Sequence, residues 1–504
     1  MRCLALANIL KNNNINVEFI CREHKGNLID KIRLSGFYVH ELDLLEGVEY
    51  YGKLSHSYML GATQKQDANN CINILKSQEN DWIVVDHYAL DENWHYKLRP
   101  YCKRIMVIDD LADRKYQCDI LLDQTFGRQK IDYLPLVPSG CELLLGSKYA
   151  LLRSEFIQWR GYSLRRRFRP QFKRLLINMG GVDINNITGK VVKELQTCIL
   201  PREVHIIIVM RGKSPHLENV QDIANSLPYE VEIKTDVCNM AEIMANADIA
   251  IGASGSSTWE RCCMGLPTIQ IIIAKNQIFL AKMLESYGLV KLATEINEIN
   301  SLLSESSRWM GKISRKSSKI CSGTGVFKVY NKMSNYKIRL DKFGEVELRN
   351  YVNLSVEELA LILNMRNHVQ VKKWMKSQGD ISKKEHIEFI SNLENETSML
   401  YFLVKHKNNI IGSINFSQIS INNSVEFGIY TNPFARFKGM GSVLELTASQ
   451  YAFVELGVKE INLKVLSKNE RAINFYKKCG YKIIEKKEIK HNSMIYMKKE
   501  RVSQ

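Results

Sequence analysis

Across the first two-thirds of the chain, short apolar runs recur, and each ends in polar residues. Trp82-Ile83-Val84-Val85 runs into Asp86-His87-Tyr88, Ile105-Met106-Val107-Ile108 into Asp109-Asp110, and Ile120-Leu121-Leu122 into Asp123-Gln124. Uninterrupted apolar runs of this length suit strands covered on both faces, which belong to parallel sheets flanked by helices. In open sheets of that kind, ligands bind at the carboxyl ends of the strands. The pattern therefore predicts an α/β fold with a cleft lined by these strand-end residues, Asp86-His87-Tyr88, Asp109-Asp110 and Asp123-Gln124, although an Asp at a strand end also serves as a helix cap or turn residue. A charged stretch around residues 149–156 interrupts the pattern. It resumes with Arg174-Leu175-Leu176-Ile177-Asn178 and the turn Met179-Gly180-Gly181-Val182-Asp183. Two halves follow, residues 1–150 and 151–335. In the second, Ile249-Ala250-Ile251-Gly252 leads into Ala253-Ser254-Gly255-Ser256-Ser257-Thr258-Trp259-Glu260. Small residues and hydroxyls at a helix start make an anion nest, with Glu260 in reach of a sugar diol. Plain helix capping by residues 256–258 is the other reading.

A chain of 504 residues exceeds a single core, and its 45% apolar and 25% charged content is that of ordinary globular domains. The net charge of +16 raises the question of nucleic acid. However, the basic residues are scattered apart from Arg165-Arg166-Arg167 with Arg169, and no zinc-finger, RNP or helix-turn-helix signature accompanies them. A basic balance also suits small polyanionic ligands, or reflects nothing more than a basic proteome. The twelve cysteines form no C-x-x-C and no Cys/His ligand spacing, which predicts reduced thiols in a cytoplasmic protein and no metal site. No apolar run approaches the ~18 residues of a membrane span.

The C-terminal third carries a second chemistry. Residues 424–430 alternate as a strand, with Val425, Phe427 and Ile429 on one side and Glu426 and Tyr430 on the other. Arg436-Phe437-Lys438-Gly439-Met440-Gly441 follows, then a mostly apolar segment, 442–456, of helical length closed by Gly457. A glycine turn from strand into helix gathers backbone N–H groups and the positive end of the helix dipole, which suits a pyrophosphate; a plain connection is the bland alternative. Ile461, Leu463 and Val465 mark the next strand. The helix Asn469-Glu470-Arg471-Ala472-Ile473-Asn474-Phe475-Tyr476-Lys477-Lys478-Cys479-Gly480-Tyr481 comes after it. With this R-x-x-G-x-G and N-x-x-A-x-x-F-Y-x-x-x-G-Y, residues 345–499 resemble the Gcn5-related N-acetyltransferase superfamily. The resemblance implies an α+β domain using acetyl-CoA. Arg436, Lys438, Gly439 and Gly441 would hold its pyrophosphate, Asn469 its pantetheine arm, and Tyr476 would protonate the departing thiolate. Glu426 would accept the amine proton, directly or through water, unless it is an ordinary solvated strand residue. Splayed strands would offer backbone N–H groups to the oxyanion.

The order Asp248, Ala253-Ser254-Gly255-Ser256-Ser257-Thr258, Glu260, Gly265-Leu266-Pro267, Asn276-Gln277 looks like the nucleotide-binding half of the two-domain glycosyltransferase B fold. More narrowly, several pieces in order resemble the UDP-2,4-diacetamido-2,4,6-trideoxy-β-L-altropyranose hydrolases of pseudaminic acid synthesis. They include Met1-Arg2-Cys3-Leu4-Ala5-Leu6-Ala7, Val85-Asp86-His87-Tyr88, Ile108-Asp109-Asp110-Leu111-Ala112-Asp113-Arg114 and Gly180-Gly181-Val182-Asp183. That resemblance implies metal-free attack of water at the anomeric carbon. Gly181, Ser256, Ser257, Thr258, Glu260, Asn276 and Gln277 would bind UDP, and Asp86, His87 and Tyr88 would face the sugar. In the family a strand and a glycine-rich turn ending in the histidine proposed as base precede the Met1-Arg2-Cys3-Leu4 segment. This sequence begins at Met1, so residues 1–10 read as a helix, the first half is expected to open without its first strand, and truncation is the expected reason. Residues 336–344 read as a linker. The whole predicts a bifunctional enzyme that acetylates a UDP-aminosugar and then hydrolyses it. The alternatives are an acetyltransferase with an inactive UDP-sugar-binding module, a glycosyltransferase fused to an acetyltransferase, and acetylation of a protein amino terminus.

Overall fold

The structure is a computed structural model that describes residues 1–13, 15–44, 54, 56–180, 183–334, 336–375, 377–393, 396, 398–420, 423–435, 438–489 and 492–501. The chain forms two compact units, Met1–Ala5 with Glu18–Val326 and Leu6–Val17 with Phe327–Gln504.

The first unit contains two Rossmann-like halves of the glycosyltransferase B type. The amino-terminal half has β1 (Glu18–Arg22) parallel to β2 (Tyr38–Leu42), and of the helix Arg2–Asn12 only the part through residue 5 groups with it. A second parallel sheet has β3 (Trp82–Val85), β4 (Arg104–Ile108), β5 (Ile120–Asp123) and β6 (Glu142–Leu145) in that order. Among the described residues β1 and β2 pair only with each other and β3 only with β4, so this half carries two separate sheets. The second half is continuous. It comprises β7 (Arg174–Asn178), β8 (His205–Met210), β9 (Glu230–Thr235), β10 (Ile249–Ala253), β11 (Thr268–Ile271) and β12 (Lys291–Ala293). Their order is β12-β11-β10-β7-β8-β9, all parallel. The chain reverses direction across the sheet between β7 and β10, which is the switch point where such sheets bind nucleotides. Leu175, Ile177, Ile206, Ile208, Ile249 and Ile251 bury one face and Leu176, Ile207, Val209 and Ala250 the other, as apolar runs without alternation require.

The basic cluster serves this fold. Arg167 is buried and donates to the carbonyls of Met244, Ala245 and Ala247 at the end of the helix Met240–Asn246, while Arg166 pairs with Asp248 at 2.6 Å. A cation over exposed helix carbonyls satisfies orphan acceptors and complements the dipole.

The second unit is an α+β fold around one sheet. Its strands are β13 (Tyr336–Leu340), β14 (Gly344–Asn350), β15 (Leu400–His406), β16 (Asn409–Ser420), β17 (Ser424–Thr431), β18 (Glu460–Leu466), β19 (Lys482–Ile489) and β20 (Asn492–Glu500), in the order β13-β14-β15-β16-β17-β18-β20-β19. The linker expected over 336–344 is thus overturned. Residues 336–340 pair antiparallel with β14 from Tyr336↔Leu348 to Leu340↔Gly344, and Ile338 and Leu340 enter the core. The helices Met440–Gln450 and Glu470–Lys478 cover the sheet face that carries Val425 and Phe427. The helical segment expected through residue 456 is α-helical over Met440–Gln450 and then widens into one π turn, Tyr451–Glu455.

Candidate functional sites

In the second unit the sheet opens where β17 meets β18. These two strands run parallel and pair at Ser424↔Glu460, Val425↔Ile461 and Glu426↔Asn462. Pairing with each other stops there, although β17 continues to Thr431 and β18 to Leu466. The facing edges beyond Glu426 and Asn462 therefore carry backbone groups available to an extended, amide-bearing ligand.

At the open end Asn432 fixes the turn. Its amide donates to the Ile410 carbonyl and its carbonyl oxygen accepts from Phe434 N–H. Arg436 lies outside the described residues. Lys438 is exposed, and Gly439 holds φ +84° with nothing near its missing side chain. Gly441 sits against the Phe475 ring, to which an added Cβ would come within 3.6 Å. The helix Met440–Gln450 starts here with no acidic residue in its first turn, so its positive end is uncompensated. Asn469 caps the helix Glu470–Lys478 by accepting from Ala472 N–H.

Tyr476 and Glu426 lie on opposite faces of the sheet. Tyr476 is buried with its ring 6.0 Å from that of Phe427, whereas Glu426 alternates to the other side. Burial, then the charge of Glu445, raises the Tyr476 pKa, so the phenol stays protonated and can donate. Glu426 is paired with Lys464 at 2.5 Å. Sequence reasoning missed Lys464. It also missed Glu445, a buried carboxylate held by Lys499 at 2.8 Å and by Ser449 at 2.6 Å. The facing of Lys464 was readable from its alternation with Leu463 and Val465. Its partner was not, because register is a tertiary property.

In the first unit, Ser256 is exposed at the start of the helix Ser257–Cys263, and its hydroxyl makes no capping bond. Ser257 and Thr258 turn inward. Both hydroxyls accept from Arg261, and Thr258 also accepts from Gln270 at 2.9 Å. Arg261 is itself buried, which lowers its pKa to about 10, and its guanidinium donates to the Ala253 carbonyl. The two hydroxyls therefore brace the turn. Glu260 is partly exposed 3.9 Å from Arg153, and burial raises its pKa against the opposing pull of that arginine. Asn276 and Gln277 lie on the turn Lys275–Gln277. Asn276 is exposed, and Gln277 accepts from Ile273 N–H and approaches Gly255, so the two turns after β10 and β11 meet. Gly181 lies outside the described residues.

Asp86, His87 and Tyr88 follow β3 as expected, yet their side chains are committed. Arg2 grips Asp86 through two nitrogens, the shorter contact being 2.6 Å, and Cys3 adds its thiol at 3.1 Å. Burial raises the pKa of the Asp86 carboxyl, but the Arg2 charge and hydrogen bonds outweigh it and leave a net lowering. Tyr88 donates to Asp110, which also meets Arg2 at 3.3 Å. The His87 ring accepts from Ala89 N–H through Nδ1 and makes a backbone hydrogen bond with Met59, and burial lowers its pKa. It is neutral at pH 7 with both sides of the ring engaged. Asp109 and Asp123 do not line a cleft. Both are fully buried and accept from the Tyr133 hydroxyl, with Arg114 on the first and Arg128 on the second. That is a structural network holding the loops after β4 and β5.

Residues 367–481 match the acetyltransferase (GNAT) family, and residues 179–313 match the glycosyltransferase family 28 C-terminal domain. An uncharacterized protein of Methanocaldococcus jannaschii, MJ1062, is 24% identical over 504 residues, 98% of this chain and 95% of the relative. Acetyltransferase PseH of Campylobacter jejuni is 34% identical over 140 residues, 28% of this chain and 87% of the relative. The UDP-2,4-diacetamido-2,4,6-trideoxy-beta-L-altropyranose hydrolase of Campylobacter jejuni is 27% identical over 275 residues, 54% of this chain and 87% of the relative.

Proposed function

We propose, for a chain that belongs to the acetyltransferase (GNAT) family and carries a UDP-sugar-hydrolase-like unit ahead of it, two consecutive reactions on one nucleotide sugar. The first is transfer of acetyl from acetyl-CoA to the amine of UDP-4-amino-4,6-dideoxy-N-acetyl-β-L-altrosamine. The second is hydrolysis of the diacetamido product to UDP and the free sugar.

The observation that carries the first step is the opening between β17 and β18, closed at one end by the Gly439–Gly441 turn. The pyrophosphate of acetyl-CoA would lie on that turn and the pantetheine arm along the unpaired edges. Its thioester would then sit near the point where pairing ends, at Glu426 and Asn462. Glu426 takes a proton from the acceptor's ammonium on one face of the sheet. The freed amine attacks the thioester carbon, and backbone N–H groups of the open edge stabilise the oxyanion. When the tetrahedral intermediate collapses, the C–S bond breaks, Tyr476 protonates the thiolate from the opposite face, and the second proton of the attacking nitrogen leaves to solvent, from which the phenolate is reprotonated. Base and acid on opposite faces match a reaction in which the amine enters and the thiol leaves on opposite sides.

For the second step, Ser256, Asn276, Gln277 and Glu260 would hold UDP at the switch-point edge, and Tyr88 with Asp86 would face the sugar. Occupation of both sides of the His87 ring and of the Asp86 carboxylate supports a second reading, in which this unit binds the UDP-sugar without turning it over. Thiol and UDP release are measured together after mixing the chain with acetyl-CoA and the UDP-4-amino sugar. Release of both is the expected result. Thiol without UDP selects the binding-module reading, and release of neither refutes the substrate assignment.

A further inference from the structure

The sheet face that carries Glu426 holds a cavity of about 270 Å³, lined in part by Gln418, Glu426, Asn462, Lys464, Ile484 and Tyr496. Register explains the lining. Glu426 is opposite Asn462, Lys464 is opposite Tyr496, and Tyr496 is opposite Glu485. Lys487, two residues beyond Glu485 on β19, shares that face. Lys464 Nζ lies 2.5 Å from Glu426 and 5.6 Å from the centre of the Tyr496 ring. Lys487 Nζ lies 5.3 Å from the same ring centre and 2.8 Å from Glu485. Two ammonium groups thus flank one aromatic ring, and one of them rests on the carboxylate assigned as base.

Building on the acetyl-transfer reading, we propose that this cavity is the acceptor subsite, seating the amine-bearing ring against Glu426, while Lys464 and Lys487 hold the acceptor's diphosphate at its rim. Size argues first. Whole-ligand pockets run from ~300 to ~1,000 Å³, so this cavity, at their lower bound, has room for a sugar ring and is open at its rim to the rest of a nucleotide sugar. Charge argues second. Glu426 accepts no proton from substrate while Lys464 occupies it. The incoming ammonium replaces Lys464 on the carboxylate, and the flexible lysine stem delivers the displaced charge to the diphosphate arriving with the same substrate. The exchange is charge for charge, and the ion pair it gives up is partly exposed, hence weak. The Tyr496 ring supplies the apolar surface for the sugar face. An amine without an attached anion has nothing to hold the displaced lysine, so the site selects nucleoside-diphosphate aminosugars over simple amines.

Steady-state thiol release tests this on the full chain, with the UDP-4-amino sugar and the methyl glycoside of the same amino sugar as acceptors. The double variant Lys464→Met with Lys487→Met is expected to raise KM for the UDP acceptor by about tenfold or more, the loss of charge-assisted phosphate contacts. It should also abolish the wild-type preference for the UDP acceptor over the glycoside. An unmoved KM for acetyl-CoA reports an intact fold, and the double arginine variant should restore the preference. Wild-type turnover with the preference intact in the methionine variant, or with both acceptors weakened equally, overturns the subsite. Wild type that acetylates neither acceptor overturns the acetyl-transfer reading itself.

Discussion

The Tyr476 hydroxyl belongs to a ring enclosed by Phe427, Phe475 and Tyr481, and burial with the nearby Glu445 charge pushes its pKa above the usual tyrosine value. A phenol placed this way is a proton donor at every working pH. Replacing Tyr476 by Phe keeps the ring and removes the proton, so kcat should fall by about 10²- to 10⁴-fold with KM for acetyl-CoA little changed. Because the pKa is raised, the wild-type rate should lose no acid function up to the ordinary tyrosine value of about 10. A pH profile of thiol release for both proteins checks this, and undiminished kcat in the variant would remove Tyr476 from the mechanism. At this scale the motif residues were legible and their partners were not. The sequence marks Asp86 and His87 as strand-end polar groups. It does not reveal that Arg2, 84 positions away, holds the first or that backbone groups of Ala89 and Met59 hold the second. Asp109 and Asp123 carry the same strand-end signature as Asp86, yet Tyr133 and two arginines draw them into the core.

Among elements, the buried strands of the first unit could be read from apolar runs alone, because both faces of each are covered. β13 could not be placed by composition. Lys337, Arg339, Asp341 and Lys342 make residues 336–344 look like a solvated connection, while the period-two signal in Ile338 and Leu340 is only two residues long. The helix Met440–Gln450 hides a different feature. Glu445 is 2% exposed on its buried side and is neutralised by Lys499 from β20, so a long-range ion pair ties helix to sheet. Lys499→Met should leave the carboxylate buried without its cation, at a cost of about 3–5 kcal/mol. Urea denaturation of the variant measures it. The double variant with Glu445→Gln should recover most of the loss, whereas a change under about 1 kcal/mol for Lys499→Met would mark the pair as no stronger than a surface contact.

For the whole molecule, the net charge of +16 is spread along the sequence with one dense cluster. Two of the four arginines of that cluster, Arg166 and Arg167, hold helix carbonyls and Asp248. The two-unit organisation was visible as a change of motif, but its boundary was not. Residues 6–17 group with the acetyltransferase unit, as do residues 327–333, where Asn331 and Lys332 hydrogen-bond with residues 352, 353 and 393. Those contacts join segments far apart in sequence, and no local pattern encodes them. What the account requires of the molecule is two separate anion cradles, one after β10 and β11 for UDP and one after β17 for acetyl-CoA. Calorimetric titration of the full chain with UDP and acetyl-CoA, singly and then together, tests that requirement most directly. Acetyl-CoA should bind one equivalent, and UDP should bind at the cradle after β10 and β11 with an affinity that acetyl-CoA leaves unchanged, any second, weaker UDP equivalent being the acceptor subsite at Lys464 and Lys487. Silence toward both ligands, or displacement of one by the other from a single shared site, would contradict the account.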